Sequence, residues 1–103
     1  MTVHVVTSYP ETAEYVKSIP EFADAVHHES YRGLTSWLRR GDIVIGAFGL
    51  HTAARINKLG GRTFHIEIRS TSVRRVNKET YSADDLSSVP IIEYEVRRER
   101  KWA

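Results

Sequence analysis

The stretch GDIVIGAFGLHTAARINKLGG, from Gly41 to Gly61, decides the fold class. Ile43, Val44 and Ile45 are contiguous and β-branched, the pattern of a strand buried on both faces; a half-exposed strand would alternate. A central strand is therefore predicted. From Leu50 the apolar positions shift to Ala53, Ala54, Ile56 and Leu59, at helical spacing, and Gly60 and Gly61 supply a left-handed stop. The segment is thus a strand-to-helix junction. Gly46 and Gly49 stand where strand becomes helix, so backbone amides without a shielding Cβ lie beside the positive end of a helix dipole, which suits an anion. Turn geometry alone would also account for both glycines.

Outward from this junction, strand-like and helical segments alternate. Val3, Val5 and Val6 form a first strand that ends at Thr7 and Ser8, and Ala13, Val16 and Ile19 line one side of a following helix. Ser8 and Glu11 stand three apart, as in a capping box, with Pro10 in the first turn, so the helix is expected to begin at Ser8. Ala23, Ala25 and Val26 suggest a second strand ending at His27, His28 and Glu29, with a helical turn as the alternative. Leu34, Trp37 and Leu38 give a short amphipathic helix, with Trp37 expected in the core. RTFHIEIRS then alternates, Phe64, Ile66 and Ile68 against His65, Glu67 and Arg69, which predicts a strand with one wetter face, near an edge. The last strand, of undetermined direction, sets Ile92, Tyr94 and Val96 against Glu93, Glu95 and Arg97, after a helical turn or two between Ser82 and Val89. Asp84 and Asp85 there read as first-turn helix residues. These segments imply right-handed crossovers and an α/β domain: a small Rossmann-like, mostly parallel sheet of about five strands flanked by helices.

With 103 residues, 41% of them hydrophobic, the chain makes one domain, residues 1–103, with a single core. The absence of cysteine excludes disulfides, thiolate zinc sites and thiol catalysis. No apolar run approaches the roughly 20 residues that span a bilayer, and the N-terminus lacks the pattern of a signal peptide, so a soluble cytoplasmic protein is expected. The net charge is +2, but RSTSVRRVNK and VRRERKWA concentrate basic residues, which fits an anionic partner or a solvated face.

In such sheets ligands collect beyond the carboxyl ends of the strands where strand order reverses, here between the first and third strands. The loops there are Thr7 to Pro10 and Gly46 to Thr52. Thr7, Ser8 and Thr52 bring hydroxyls and His51 an imidazole to that rim, which suits phosphate better than an apolar ligand. The next strand would deliver Arg69 and Ser70 to the same edge, where an arginine can clamp a phosphate. His51 could equally be a solvated side chain, and His65 reads as structural. His27 and His28 would point to opposite faces of a strand, and with His4 they match no metal-ligand spacing; no GxSxG elbow is present either.

These residues resemble the small stand-alone ring nucleases of the Csx group that accompany type III CRISPR systems. The resemblance rests on Gly41-Asp42, Val44-Ile45-Gly46, Leu50-His51, Ala53-Ala54, His65, the segment ETYSADDL from Glu79 to Leu86, and Ile92-Glu93-Tyr94-Glu95-Val96, covering Val5 to about Val96. It implies a CARF-like domain acting as a homodimer, without cofactor or metal, that binds and usually cleaves a cyclic oligoadenylate, most of all cyclic tetra-adenylate. The first loop departs from the family: Ser8 and Tyr9 stand where an arginine and a histidine are expected after Val6-Thr7. On this reading His51, Arg69 and Ser8 are the catalytic candidates. Thr7, Ser8, Tyr9, Gly46, Phe48, Gly49, His51, Thr52, Arg69, Ser70 and Arg74 are the ligand contacts. The alternatives are a sponge that holds the messenger uncut, and a basic nucleic-acid-binding module using Arg74, Arg75 and the tail.

Overall fold

A computed structural model describes residues 1–66, 89–100 and 102. Strand β1 (Val3–Val6) leads into helix α1 (Pro10–Lys17), a 3-10 turn (Pro20–Phe22) and strand β2 (Val26–His28). Helix α2 (Leu34–Trp37), strand β3 (Ile43–Gly46), helix α3 (Leu50–Lys58) and strands β4 (Arg62–Ile66) and β5 (Ile91–Tyr94) follow. The five strands form one sheet in the order β2-β1-β3-β4-β5, parallel except for β5, which runs antiparallel to β4. This is an α/β architecture consistent with a small Rossmann-like fold.

β3 is central because every one of its residues is buried: it pairs with β1 through Val3↔Ile43 and Val5↔Ile45, and with β4 through Ile45↔Phe64. Its residues alternate between two cores. On one face Ile43 and Ile45 join Val5, Ile66 and Val89 against Ala13 and Val16 of α1. On the other, Val44 joins Val6 against Leu34 of α2 and Ile56 of α3. Helices on both faces are what make a contiguous apolar run the right sequence for this strand. At the end of α3, Gly60 has φ +89°, and a Cβ there would come within 2.6 Å of Arg40 Cγ, so glycine is required both by conformation and by space.

The structure corrects several expectations. α1 begins at Pro10 with Tyr9 as its N-cap and no side-chain capping bond, so Ser8 and Glu11 form no capping box; instead Thr7 Oγ1 accepts from Tyr9 N at 3.1 Å. β2 lies later than expected and contains both histidines, because Pro20–Phe22 is spent on the 3-10 turn and Ala25 N bonds back to Phe22 O. Trp37 is half-buried at the margin of its core and stacks on His28, ring centroids 3.9 Å apart. In β4 the face expected to be the wetter one is covered, with Thr63 fully buried and His65 half-buried, whereas Arg62, on the face of Phe64 and Ile66, is exposed. In β5 the face carrying Ile92 and Tyr94 is the more open one, 38% and 48% exposed, whereas Ile91 packs on the α1 core. The expected helical turns from Ser82, with Asp84 and Asp85, and the continuation of the alternating strand through Glu67, Ile68 and Arg69 lie outside the described residues.

Candidate functional site

β1 and β3 are neighbours, yet the chain leaves β1 for one side and returns to β3 on the other, so a crevice opens between their carboxyl ends. Two loops wall it. The first, after β1, is pinned by β2: Thr7 N donates to His28 O at 2.9 Å and His27 Nε2 donates to Thr7 O at 2.8 Å. The second begins at Gly46, where a Cβ would stand 2.6 Å from Tyr31 Oη and 2.9 Å from Val6 O. Only glycine lets that tyrosine slide under the loop.

The crevice encloses about 340 Å³ and is lined by Val6, Thr7, Ser8, Tyr9, Thr12, Glu29, Ser30, Tyr31, Ala47 and Ile66. Two of its hydroxyls, Thr12 Oγ1 and Tyr31 Oη, are buried with no hydrogen-bond partner among the described residues. Burial also pushes the Tyr31 phenol far above its ordinary pKa, so it is a neutral donor at any physiological pH. A second cavity of about 440 Å³ lies beyond Phe48 and is lined by Phe48, Gly49, Leu50, Ala53, His65, Tyr94, Glu95 and Val96. Phe48 separates the two, meeting Tyr31 edge-on at 6.0 Å on one side and His65 at 5.7 Å on the other.

The two helix starts differ. α1 carries Glu11 in its first turn, which already complements the positive end of its dipole. α3 has no acidic residue in its first turn and no side-chain cap at Gly49, around which a Cβ would meet nothing within 4 Å. Its amides are the ones open to an anion.

Thr7, Ser8 and Tyr9 therefore converge on the first cavity with Gly46 behind them, while Phe48 and Gly49 line the second. His51 is exposed and Thr52 half-buried in the first turn of α3; neither is among the described lining residues of these two cavities. The imidazole of His51 lies close enough to Glu99 to favour its charged form, although Lys58, at 3.0 Å, is the main cause of that lowered pKa. Arg69, Ser70 and Arg74 lie outside the described residues. Sequence reasoning missed Thr12, Glu29 and Tyr31. Thr12 alone left a trace, as a polar residue in the buried stripe of α1 beside Ala13 and Val16.

Nor did the spacing announce a buried chain on the α2 face. Asp42, 2% exposed, accepts from His4 Nε2 at 2.9 Å, from Thr2 N at 2.9 Å and from Arg39 N at 3.0 Å. With its Nε2 proton committed to Asp42, a neutral His4 accepts at Nδ1, and His28 Nε2 donates to it at 2.9 Å. Burial would raise the Asp42 pKa, but these hydrogen bonds, led by that of His4, bring it below the ordinary value. Burial, reinforced by His4 and His27, lowers that of His28. Among the described residues no group of three His, Cys, Asp or Glu side chains is placed to hold a metal ion, and no helix is long and apolar enough to cross a membrane.

The family whose description reads "Putative CRISPR-associated protein (Cas_VVA1548)" matches residues 4–97. Comparison with curated proteins and with solved structures gives no match.

Proposed function

The chain belongs to this CRISPR-associated family, and on that premise we propose that it binds a cyclic oligoadenylate, foremost cyclic tetra-adenylate, across the crevice between β1 and β3 and opens the ring without a metal. One observation carries the reading: a hydroxyl-lined cavity at the strand switch point lies across Phe48 from a helix start whose amides no acidic side chain or cap covers. Base and phosphate of one nucleotide can then be held a short distance apart.

RNA brings its own nucleophile. The ribose 2′-oxygen attacks the adjacent phosphorus in line; the 2′-O–P bond forms, the P–O5′ bond breaks, and the products carry a 2′,3′-cyclic phosphate and a 5′-hydroxyl. The proton lost by the 2′-hydroxyl is returned to O5′. In our reading the α3 amides and Ser8 steady the charge on phosphorus, each such contact contributing on the order of 10²-fold, and His51 carries the proton. Arg69 is the proposed phosphate clamp.

A second reading, sequestration of the ring without cutting, is favoured by one placement: His51 faces neither cavity. Labelled cyclic tri-, tetra- and hexa-adenylate incubated with stoichiometric protein in EDTA separates the two. Linear products carrying a 2′,3′-cyclic phosphate are expected from the tetra-adenylate. Tight binding with an intact ring after hours selects the sponge, and failure to bind any of the rings overturns both.

A further inference from the structure

We infer that His65 is a second proton-transfer group of the site: it takes the proton of the attacking 2′-hydroxyl on one side of the phosphorus, while His51 gives a proton to O5′ on the other. The inference rests on the function proposed above and adds to it a residue whose sequence context reads as structural.

The chain has five histidines, and the fold ties three of them with hydrogen bonds of its own. His4 and His28 bond to each other, His4 bonds to Asp42, and His27 donates to Thr7 O. His51 stands exposed on the first turn of α3. His65 differs from all four. It lies at the carboxyl end of β4, paired with Gly46, and is half-buried on the wall of the cavity of about 440 Å³ that Gly49 and Leu50 share at the start of α3. Its ring meets those of Phe48 and Tyr94 edge-on, centroids 5.7 and 6.3 Å away, and among the described residues neither of its nitrogens has a hydrogen-bond partner. A histidine that serves the fold is held by such a bond, as His4, His27 and His28 are. One that lines a cavity with both nitrogens unclaimed is placed to exchange a proton with what enters.

In-line attack calls for two such groups. O2′ approaches the phosphorus from the side opposite O5′, so an imidazole beside the nucleophile stands away from the leaving group. A phosphate at the α3 amides has a histidine on either side: His65 on the cavity wall, and His51 on the outer side of the same turn. Phe48, Leu50, Ala53 and Val96 give that cavity apolar walls, which reject a charged phosphate and accept the carbon face of a ribose. O2′ then lies toward His65, and O5′ leaves toward His51 and solvent. Neutral His65 takes the 2′-hydroxyl proton as the O2′–P bond forms, and protonated His51 gives one as the P–O5′ bond breaks. The two histidines end with their protonation states exchanged, and water restores them; no other reactant is consumed.

A base and an acid acting together give a bell-shaped pH dependence of the single-turnover rate. The other titratable side chains on that cavity are Tyr94 and Glu95, the latter 3.5 Å from Arg97. Phenols and carboxyls ordinarily titrate outside pH 5 to 8, so a limb inside that range belongs to histidine. With cyclic tetra-adenylate in EDTA, His65→Ala should lose about 100-fold or more in rate, together with the acidic limb of the profile, while its affinity for the ring stays within about threefold. Free imidazole should restore part of the rate to His65→Ala, whose missing side chain leaves room for it, and none to His65→Gln, which fills that room and keeps the packing. A residue that only packs shows neither the lost limb nor the rescue. If both variants open the ring at the wild-type rate, or lose rate with the acidic limb intact and no rescue, the role of His65 is overturned and the ring-opening reading stands. If wild type binds the ring and leaves it whole, cleavage falls and the role of His65 with it; if it binds no ring, the oligoadenylate reading falls as well.

Discussion

Asp42 shows how much of this molecule depends on single polar side chains that never reach solvent. It ties the N-terminal strand to the loop before β3 through Thr2 N, holds Arg39 N, and anchors His4, itself 4% exposed. Truncation to alanine leaves three donors without their acceptor, and an unsatisfied buried polar group costs about 1–3 kcal/mol. Urea unfolding of Asp42→Ala should show that loss; a variant as stable as wild type would mean the His4–Asp42 contact holds nothing in place. The same chain sets a pH dependence. Since the His28 pKa is lowered from 6.5, the unfolded chain takes up this proton first, so stability is complete above that value and declines as the pH falls below it. Asp42, lowered from 3.8, contributes a second loss that begins only below that value. His28→Gln should flatten the first decline and leave the second; stability curves of wild type and variant that stay parallel between pH 7 and 5 would refute the assignment. Gly46 is the other position where one atom decides. A Cβ there collides with Val6 O, which is backbone, and with Tyr31 Oη, so Gly46→Ala should both destabilise the fold and close the crevice, visible as lost binding of cyclic tetra-adenylate. Retained affinity would show that Tyr31 moves without consequence.

Among the elements, the strands and helices around β3 were legible because each follows a local rule: a β-branched run, a helical apolar stripe, a glycine stop. What failed was decided by contacts distant in sequence. The capping box at Ser8 matched in spacing, but Thr7 Oγ1 rather than Ser8 takes the local amide, and the Thr7 loop is held from β2, about twenty residues on, by His27. The face of β5 was read by alternation, which cannot say which side the neighbouring strand leaves open. Here Asn57, in α3, does what no pattern foretells. Its side chain donates to Gly61 O and to Thr63 Oγ1 at 3.0 and 3.3 Å and accepts from Val96 N at 2.8 Å, while Thr63 donates in turn to Tyr94 O. One amide thus joins a helix end, β4 and the exit of β5. Asn57→Ala should cost about 1–3 kcal/mol, the price of unpaired buried groups, and speed hydrogen exchange at Val96 well beyond that at Val44 in the central strand. Equal acceleration at both amides would mean the loss is global and that Asn57 has no special hold on β5. The candidate site was legible to the same extent: its position followed from topology, whereas Thr12, Glu29 and Tyr31 were hidden because only the fold brings them together.

At the scale of the whole molecule, size becomes the constraint. The first cavity holds about 340 Å³, room for one nucleoside, whereas a tetra-adenylate ring carries four. One chain can therefore engage only part of such a ligand in the way proposed, leaving most of its bases and phosphates against solvent. A ring with rotational symmetry removes the difficulty if two chains meet it about a two-fold axis, because the same loops then face opposite portions of the same ligand. Two modest subsites acting together also gain by effective concentration, since binding the second nucleotide of a ring already held costs little further translational freedom. We therefore predict one cyclic tetra-adenylate per two chains, and an assembly that the ring strengthens if it does not already exist in its absence. Light scattering with and without the ring gives the mass, and titration calorimetry gives the stoichiometry. A monomer that persists at saturation and takes one ring for itself would remove the two-fold arrangement, and the ring would then have to be held by residues beyond the crevice of a single chain.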